Sequence, residues 1–162
     1  MASRLIFTPQ SAVPVGSNYP ELKRDPRGRF VLAFDTATEE TCEWEAAVPQ
    51  GWSGTGTLVL FYKMASATSG GIRFGASVEA VTSGDAFDMD AGDSFDTENA
   101  ASDTSVPGTA GYGKTLSITL TNQDSLAAGD YLRIRLARKV AHADDTASGD
   151  CEISWAELRD AA

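Results

Sequence analysis

The chain has 162 residues, with 13 Lys and Arg against 23 Asp and Glu, and a formal net charge of −10. This length allows one domain of ordinary size, which can bury enough apolar surface to fold without disulfides or a structural metal. Because duplex affinity comes mainly from cations that neutralise phosphates, the acidic balance argues against binding of bulk DNA or RNA.

The first residues carry no signal for secretion or membrane insertion. Arg4 is followed by three consecutive apolar residues, whereas a secretory signal peptide has an apolar stretch of about 7–15 residues. The longest apolar run, residues 58–62, ends at Lys63 and is far shorter than the roughly 20 residues that span a bilayer. We therefore expect neither this route of secretion nor a membrane association.

A two-residue hydrophobic period runs through most of the chain and is typical of half-buried β-strands. Turn sequences separate the segments, and helix signals are nearly absent. The eight predicted strands cover residues 4–8, 29–34, 41–48, 58–64, 72–80, 116–121, 132–137 and 151–158. This pattern predicts an all-β single domain, an antiparallel β-sandwich of jelly-roll type.

The same alternation predicts which side chains face the core. Phe61 is predicted to share a face with Val59 and Lys63, opposite Leu60 and Tyr62. The inward residues predicted for two further strands are Cys42, Trp44, Ala46, Cys151, Ile153 and Trp155. The two cysteines follow no CxxC or Cys/His metal pattern, so we expect buried, reduced thiols, with a disulfide between distant strands as the alternative.

Residues 9–28 interrupt the strand pattern near the start of the chain. They hold four of the six prolines and little apolar alternation, so the segment cannot join a sheet interior. We interpret it as an extended arm or long loop. A local basic patch lies at its end and consists of Lys23, Arg24, Arg27 and Arg29.

Residues 82–113 form a second irregular segment, which contains no Lys or Arg. Its acidic residues are Asp85, Asp88, Asp90, Asp93, Asp96, Glu98 and Asp103. Loops beyond about 12–15 residues are usually functional or disordered, so we expect part of this acidic loop to be mobile, or ordered by a neighbour or an ion. The start at Asp88 is similar to a calcium loop, but its glycine comes one position early and no Glu stands at position twelve, which favours a solvated anionic loop over a metal site.

No catalytic constellation is evident in the sequence. His142 is the single histidine, it lies between two turn-like stretches, and there is no GxSxG motif around a serine. We expect a solvent-exposed loop histidine. A small hydrolase that uses His142 with Asp144 is the hypothesis with the weakest support.

Two features allow both a structural and a functional interpretation. Trp52 lies in a turn, so its indole either stacks on a sugar or anchors an interface, or else folds back over the end of the sandwich. Arg133 and Arg135 lie on the outward face of one strand, where they either pair with acids such as Glu43 and Glu45 or form an interface stripe.

Four stretches carry a family resemblance: FDTATEE at 34–40, PQGWSGTGTLVL at 49–60, AAGDYLRIRLAR at 127–138 and DDTASGD at 144–150. With this order of features over roughly residues 31–158, the chain resembles small jelly-roll virion proteins of tailed bacteriophages, in particular capsid decoration, or cement, proteins. The resemblance implies a structural protein on the outer surface of the capsid, assembled in the host cytoplasm, with neither a catalytic site nor a cofactor.

The implied partners are the major capsid protein and further copies of the chain itself, as a homotrimer, with no direct contact to nucleic acid or membrane. The candidate residues for the capsid or subunit interface are Arg4, Leu5, Phe7, Lys23, Arg24, Arg27, Arg29, Trp52, Arg133 and Arg135. The alternative is a tail-fibre or baseplate jelly-roll module that binds host-surface carbohydrate, which Trp52 and the acidic loop favour.

Overall fold

A computed structural model describes residues 3–101 and 104–161. In these ranges the chain forms β-strands and one short 3-10 turn at Pro9–Ser11. The strands are β1 (Arg4–Phe7), β2 (Val13–Pro14), β3 (Glu21–Arg24), β4 (Phe30–Phe34), β5 (Thr41–Ala47), β6 (Gly56–Met64), β7 (Gly71–Ile72), β8 (Phe74–Val81), β9 (Asn99–Ala100), β10 (Thr104–Ser105), β11 (Lys114–Leu120), β12 (Tyr131–Arg138) and β13 (Cys151–Arg159). No helix in the described ranges is long and apolar enough to cross a membrane.

Two antiparallel sheets pack face to face around one core. The first sheet has the order β11-β6-β13-β4-β3, and β1 also pairs with β13. The second has the order β2-β5-β12-β8-β9, while β10 pairs with β7 separately. The predicted all-β antiparallel sandwich is confirmed, and each of the eight predicted strands is present. Four of the additional strands have two residues each, too few for a two-residue period to reveal them, and β3 lies in the segment interpreted as an arm or long loop.

The core consists of the apolar side chains that alternate along these strands. In β6, Leu58, Leu60 and Tyr62 are buried, and burying such a side chain contributes roughly 1.5–3 kcal/mol relative to leaving it exposed. Cys42 and Cys151 are free thiols in the same core, and burial raises the pKa of both. The prediction of buried, reduced thiols is therefore confirmed.

One predicted orientation in β13 is wrong. After Ile153 the pairing between β13 and β6 shifts by one residue, so that Ser154 is an extra residue and Trp155 pairs with Phe61. Such a β-bulge reverses the alternation beyond it, because successive side chains point to opposite faces. Ile153 faces inward as predicted, but Trp155 lies on the outward face and Ala156 returns to the core.

Residues 9–28, which we interpreted as an extended arm or long loop, lie along sheet edges and not in a sheet interior. Val13–Pro14 pairs with β5 at an edge of the second sheet, and Glu21–Arg24 pairs with β4 at an edge of the first. Proline cannot donate to a sheet ladder, which confines such strands to edges. The segment therefore closes the sandwich along two sheet edges instead of reaching away from it.

Candidate functional site

An aromatic shelf, formed by Phe61 and Trp155, lies on the outward face of the first sheet, which we call the groove face. The two rings are neighbours across β6 and β13, with centroids 5.4 Å apart and planes inclined by 15°. Both side chains are partly exposed. Trp155 reaches this face only because of the bulge at Ser154.

Two grooves border the shelf and share Ser154 and Trp155. The first groove measures about 250 Å³. Its further lining residues are Arg29, Phe61, Lys63, Gly111 and Gly113. The second measures about 460 Å³ and is also lined by Arg4, Ile6, Thr8 and Glu157. Because the grooves meet at Trp155, they form one elongated surface, the shelf grooves.

A turn at residues 111–113 forms part of the wall. A Cβ added at Gly113 would lie 2.4 Å from the ζ carbon of Phe61, so glycine is needed for the turn to approach the ring. Gly111 has a φ of +80°, which glycine adopts without steric cost. Tyr112 lies between these two groove-lining glycines and is 66% exposed.

Charged groups line both grooves. The Nε of Arg4 lies 3.3 Å from Oε1 of Glu157, and the Nε of Arg29 donates to Oδ2 of Asp25 at 2.7 Å. Burial acts to raise the pKa of Asp25, but hydrogen bonds from Arg29 outweigh this and lower it overall. The Arg4 and Arg29 side chains are 62% and 70% exposed, so both guanidinium groups remain accessible from the grooves.

Lys63 lines the first groove and belongs to a small group of ion pairs. Lys63 pairs with Glu152, and Lys23 lies 3.3 Å from the same carboxylate. Burial acts to lower the pKa of Lys23, but Glu152 and Asp150 outweigh this and raise it. The ammonium group of Lys23 is therefore held in its charged form.

The outward face of the second sheet, which we call the strap face, carries a network of ion pairs. Glu43 accepts hydrogen bonds from Arg133 at 2.6 Å and from Arg135 at 2.7 Å. Arg133 also donates to Glu79 at 3.0 Å. The interpretation that these arginines pair with Glu43 is confirmed, whereas Glu45 is exposed and forms no ion pair within the described residues.

Residues 93–96, the acidic strap, cross this face. Asp93 accepts hydrogen bonds from Arg133 at 2.7 Å and from Arg135 at 3.0 Å. The Phe95 ring centroid lies 4.0 Å from the guanidinium carbon of Arg135 and 5.0 Å from that of Arg133. The two arginines are thus bonded within their own chain, and their assignment to an interface stripe stays a prediction.

The remainder of the predicted acidic loop divides into paired and exposed acids. Glu98 pairs with Lys139 at 3.1 Å, and Asp103 lies outside the described residues. The exposed acids are Asp85, Asp88 and Asp90. In residues 3–101 and 104–161, no group of three or more His, Cys, Asp or Glu is placed to hold a metal ion, so this geometry gives the calcium hypothesis no support.

Three candidate interface residues are packing residues. Trp52 is 7% exposed, and a Cβ added at Gly56 would lie 3.2 Å from its ζ2 carbon, so the indole folds back over the end of the sandwich. Phe7 is buried and stacks on Trp44 with ring centroids 5.7 Å apart. Leu5 packs against the core. Phe7 and Trp52 therefore expose almost no surface, whereas Leu5 stays partly exposed, and the interface role of all three stays a prediction.

The residues of the basic patch differ in their pairing. Lys23 and Arg29 form ion pairs, whereas Arg24 and Arg27 form none within the described residues. Of all candidate interface residues, Arg4 and Arg29 are the two that line the shelf grooves.

His142 is held by its own loop. Its Nδ1 accepts a hydrogen bond of 3.2 Å from the backbone N–H of Asp144, and the side chain is 46% exposed. This is the solvent-exposed loop histidine that the sequence predicts.

Sequence reasoning missed Phe61, Trp155 and Tyr112 as site residues. The signal for Trp155 was a change of phase in β13, where the apolar positions 151 and 153 are followed by 156 and 158. Such a shift indicates a bulge, and the residue beside it changes faces. For Phe61 the signal was the alternation along its strand, which placed it on the face of Lys63, opposite Leu60 and Tyr62.

No protein-family model matches this chain, and no curated protein matches its sequence. Among solved structures, a family 35 carbohydrate-binding module from an environmental isolate is 16% identical with a TM-score of 0.56, covering 95% of this chain and 91% of that chain. The family 35 module of Abf62 from Cellvibrio japonicus is 13% identical with a TM-score of 0.55, covering 96% and 92%. A family 35 module from Clostridium thermocellum is 15% identical with a TM-score of 0.51, covering 96% and 97%.

At these identities the likeness establishes the fold alone, an antiparallel jelly-roll sandwich that extends over nearly the whole chain. The predicted jelly roll is confirmed. The three similar structures are carbohydrate-binding modules, and they give no support to the capsid-decoration function that the sequence resemblance implied.

Proposed function

We propose that this chain is a carbohydrate-binding module without catalytic activity, which holds a glycan in the shelf grooves. The observation that carries the proposal is the Phe61–Trp155 shelf between two grooves lined by charged side chains. A pyranose ring offers a flat face of C–H groups to an aromatic ring and hydroxyl groups at its rim. An apolar platform with a few polar groups around it is the usual design of a small-molecule site.

Each group has a distinct task in this proposal. Trp155 stacks on the sugar ring, since both grooves meet at its side chain. Arg29 and Arg4 donate charge-assisted hydrogen bonds to hydroxyl oxygens, and Glu157 accepts from hydroxyl groups. Because these groups lie on both sides of the shelf, the site suits a segment of a glycan chain better than a single sugar.

The fold supports the same function, since the similar structures with TM-scores above 0.5 are named as carbohydrate-binding modules. The proposal corresponds to the alternative drawn from the sequence, a carbohydrate-binding jelly roll. Capsid decoration, the major capsid protein as partner, the homotrimer and the virion location stay predictions that rest on the sequence resemblance alone.

The test is a glycan array of plant, bacterial and algal oligosaccharides, followed by calorimetric titration of each hit. Trp155→Ala is expected to weaken binding at least about tenfold, because the stacking platform is lost. Arg29→Ala and Arg4→Ala are expected to weaken binding less, since each removes hydrogen bonds at the rim of the grooves.

Tyr19→Ala is the matched control, because Tyr19 is a 48% exposed aromatic residue that does not line either groove. It should bind the same glycans as the unmodified chain. The proposed function would be contradicted if the chain bound no glycan on the array, or if Trp155→Ala left the affinity unchanged.

A further inference from the structure

The N-terminal segment carries an apolar surface beside two unpaired cations, which together we call the arm surface. Tyr19 and Leu22 are each 48% exposed. They border a small crevice of about 120 Å³ that is also lined by Pro14 and Pro20 and reaches Leu32 of the core. Exposed apolar groups that surround an indentation are typical of a protein contact.

Arg24 and Arg27 lie at the end of this surface and form no ion pair within the described residues. Arg24 is fixed in place, since it donates to the carbonyl oxygen of Gly28 at 2.7 Å and its guanidinium carbon lies 4.0 Å from the centroid of the Phe30 ring. In a chain with a net charge of −10, two exposed and unpaired arginines beside an apolar crevice favour an acidic partner.

The chain itself contains a segment of matching chemistry. Asp88-Met89-Asp90 lies in a tight turn, in which the N–H of Asp90 donates to Oδ1 of Asp88 at 3.0 Å and the N–H of Ala91 donates to the carbonyl oxygen of Asp88 at 3.0 Å. Met89 is 50% exposed. Neither aspartate pairs with a cation within the described part of the chain. The turn thus presents a flexible apolar side chain between two free carboxylates.

These two surfaces cannot satisfy each other within one molecule. The turn follows β8, whereas the arm surface is built on β2 and β3, and β5 and β12 lie between β2 and β8 in the second sheet. Complementary patches on separate parts of a molecule generate head-to-tail contacts, which close into a ring or a reciprocal pair.

We propose that the chain associates with further copies of itself, with the Asp88–Asp90 turn of one copy on the arm surface of the next. Met89 enters the crevice beside Tyr19 and Leu22, and the two aspartates meet Arg24 and Arg27. Methionine suits this role because its unbranched thioether adapts to irregular apolar gaps. The contact is separate from the shelf grooves, so it does not depend on glycan binding.

Sedimentation velocity of the full chain over a concentration series tests this proposal. We expect association that strengthens with concentration and weakens as salt screens the ion pairs. The arm variant Arg24→Glu with Arg27→Glu and the turn variant Asp88→Lys with Asp90→Lys should each lose association by at least about tenfold. Met89→Gln should weaken it by a smaller factor, because the apolar contact alone is removed.

Mixing the two charge-reversed variants is the decisive step. An acidic arm then meets a basic turn, and the unmodified arm of one variant meets the unmodified turn of the other, so both contacts are restored in a mixed assembly. Lys114→Glu with Arg159→Glu is the matched control, since these are two exposed cations without an ion pair in the described chain, and it should associate normally.

Circular dichroism would verify that each variant is folded. A chain that stays monomeric at about 1 mM contradicts the proposal and leaves the arm surface to a different partner. Association that is insensitive to both reversals, or reversed variants that do not recombine on mixing, contradicts it equally.

Discussion

The two outward faces of the sandwich carry the same kinds of side chain but differ in what lies over them. On the strap face, Arg133 and Arg135 are bonded to Glu43 and Asp93, and the ring of Phe95 lies against both guanidinium groups. On the groove face, an aromatic pair lies between two grooves, and arginines with mostly exposed side chains stand at the rim.

An aromatic residue beside a cation therefore does not by itself indicate a binding site. On the strap face, the acidic strap covers the two arginines. It places the carboxylate of Asp93 and the ring of Phe95 where a ligand would otherwise bind. On the groove face the aromatic shelf borders two grooves at which arginine side chains remain mostly exposed. We therefore expect substitutions on the strap face to change stability and those on the groove face to change binding.

Exchanging Trp155 and Ala156 is expected to have the largest effect on stability. The double variant Trp155→Ala with Ala156→Trp removes the indole from the groove face and places it at the inward position of Ala156, which is fully buried. A close-packed core cannot take an indole in place of a methyl group without strain, so we expect a loss of at least about 3 kcal/mol in the free energy of unfolding, measured by urea denaturation. Deleting Ser154 is the control: Ile153 and Ala156 still point inward and Trp155 outward, now in regular alternation, so the loss should be much smaller. An exchange variant as stable as the unmodified chain would contradict the assignment of Trp155 and Ala156 to opposite faces.

The bulge also marks the boundary of what the sequence could predict. The eight main strands followed from alternation, because the inward positions of a sandwich must be apolar over several residues. Trp155 was placed inward because the same rule was carried across Ser154. The ion pairs of Arg133 with Glu43 were foreseeable, since they join neighbouring strands. The hydrogen bond between Arg133 and Asp93 could not be foreseen, because Asp93 lies in a long loop whose path no local sequence pattern determines.

Glu43→Gln tests the strap face and is expected to cause the next largest loss of stability. Glu43 is buried and accepts from both Arg133 and Arg135, so neutralising it leaves two guanidinium groups with a weaker acceptor. Removing one partner of a buried ion pair is costly, and because these arginines are partly exposed we expect a loss of about 2 kcal/mol in urea unfolding. The control is Glu45→Gln on the same strand, where the exposed carboxylate predicts almost no change. Equal losses of unfolding free energy in the two variants would contradict a stabilising role of the ion pairs made by Glu43.

Trp155→Ala and Phe95→Ala together test which outward face binds glycan. Each removes one aromatic ring from one outward face, and we expect each to lower the free energy of unfolding by about 1–2 kcal/mol. Only Trp155→Ala should also lower glycan affinity in calorimetric titration. If Phe95→Ala weakened glycan binding as strongly, the site would lie on the strap face instead.

The pH dependence of the stability that the acidic strap contributes is the smallest expected effect. Its sign follows from the pKa of Asp93. Hydrogen bonds from Arg133 and then from Arg135 hold the pKa of Asp93 below its ordinary value of 3.8. A carboxylate with a depressed folded-state pKa contributes stability that is fully present above its unfolded pKa and is lost as the pH falls through the folded value. The strap should therefore be intact at neutral pH and loosen only below about pH 4.

Nuclear magnetic resonance titration of the Asp93 carboxyl carbon measures this directly, with the expected midpoint below 3.8. In Arg135→Gln one of the two bonds is lost, so the midpoint should rise toward the ordinary value. Asp93→Asn cannot titrate at this position, and its strap should lack this acid transition. Because the Asp93 side chain is 47% exposed, solvent screens the pair and limits its contribution to less than about 1 kcal/mol. A midpoint at or above the ordinary value would mean that the arginines do not hold the strap, and the strap face would then be as accessible to ligands as the groove face.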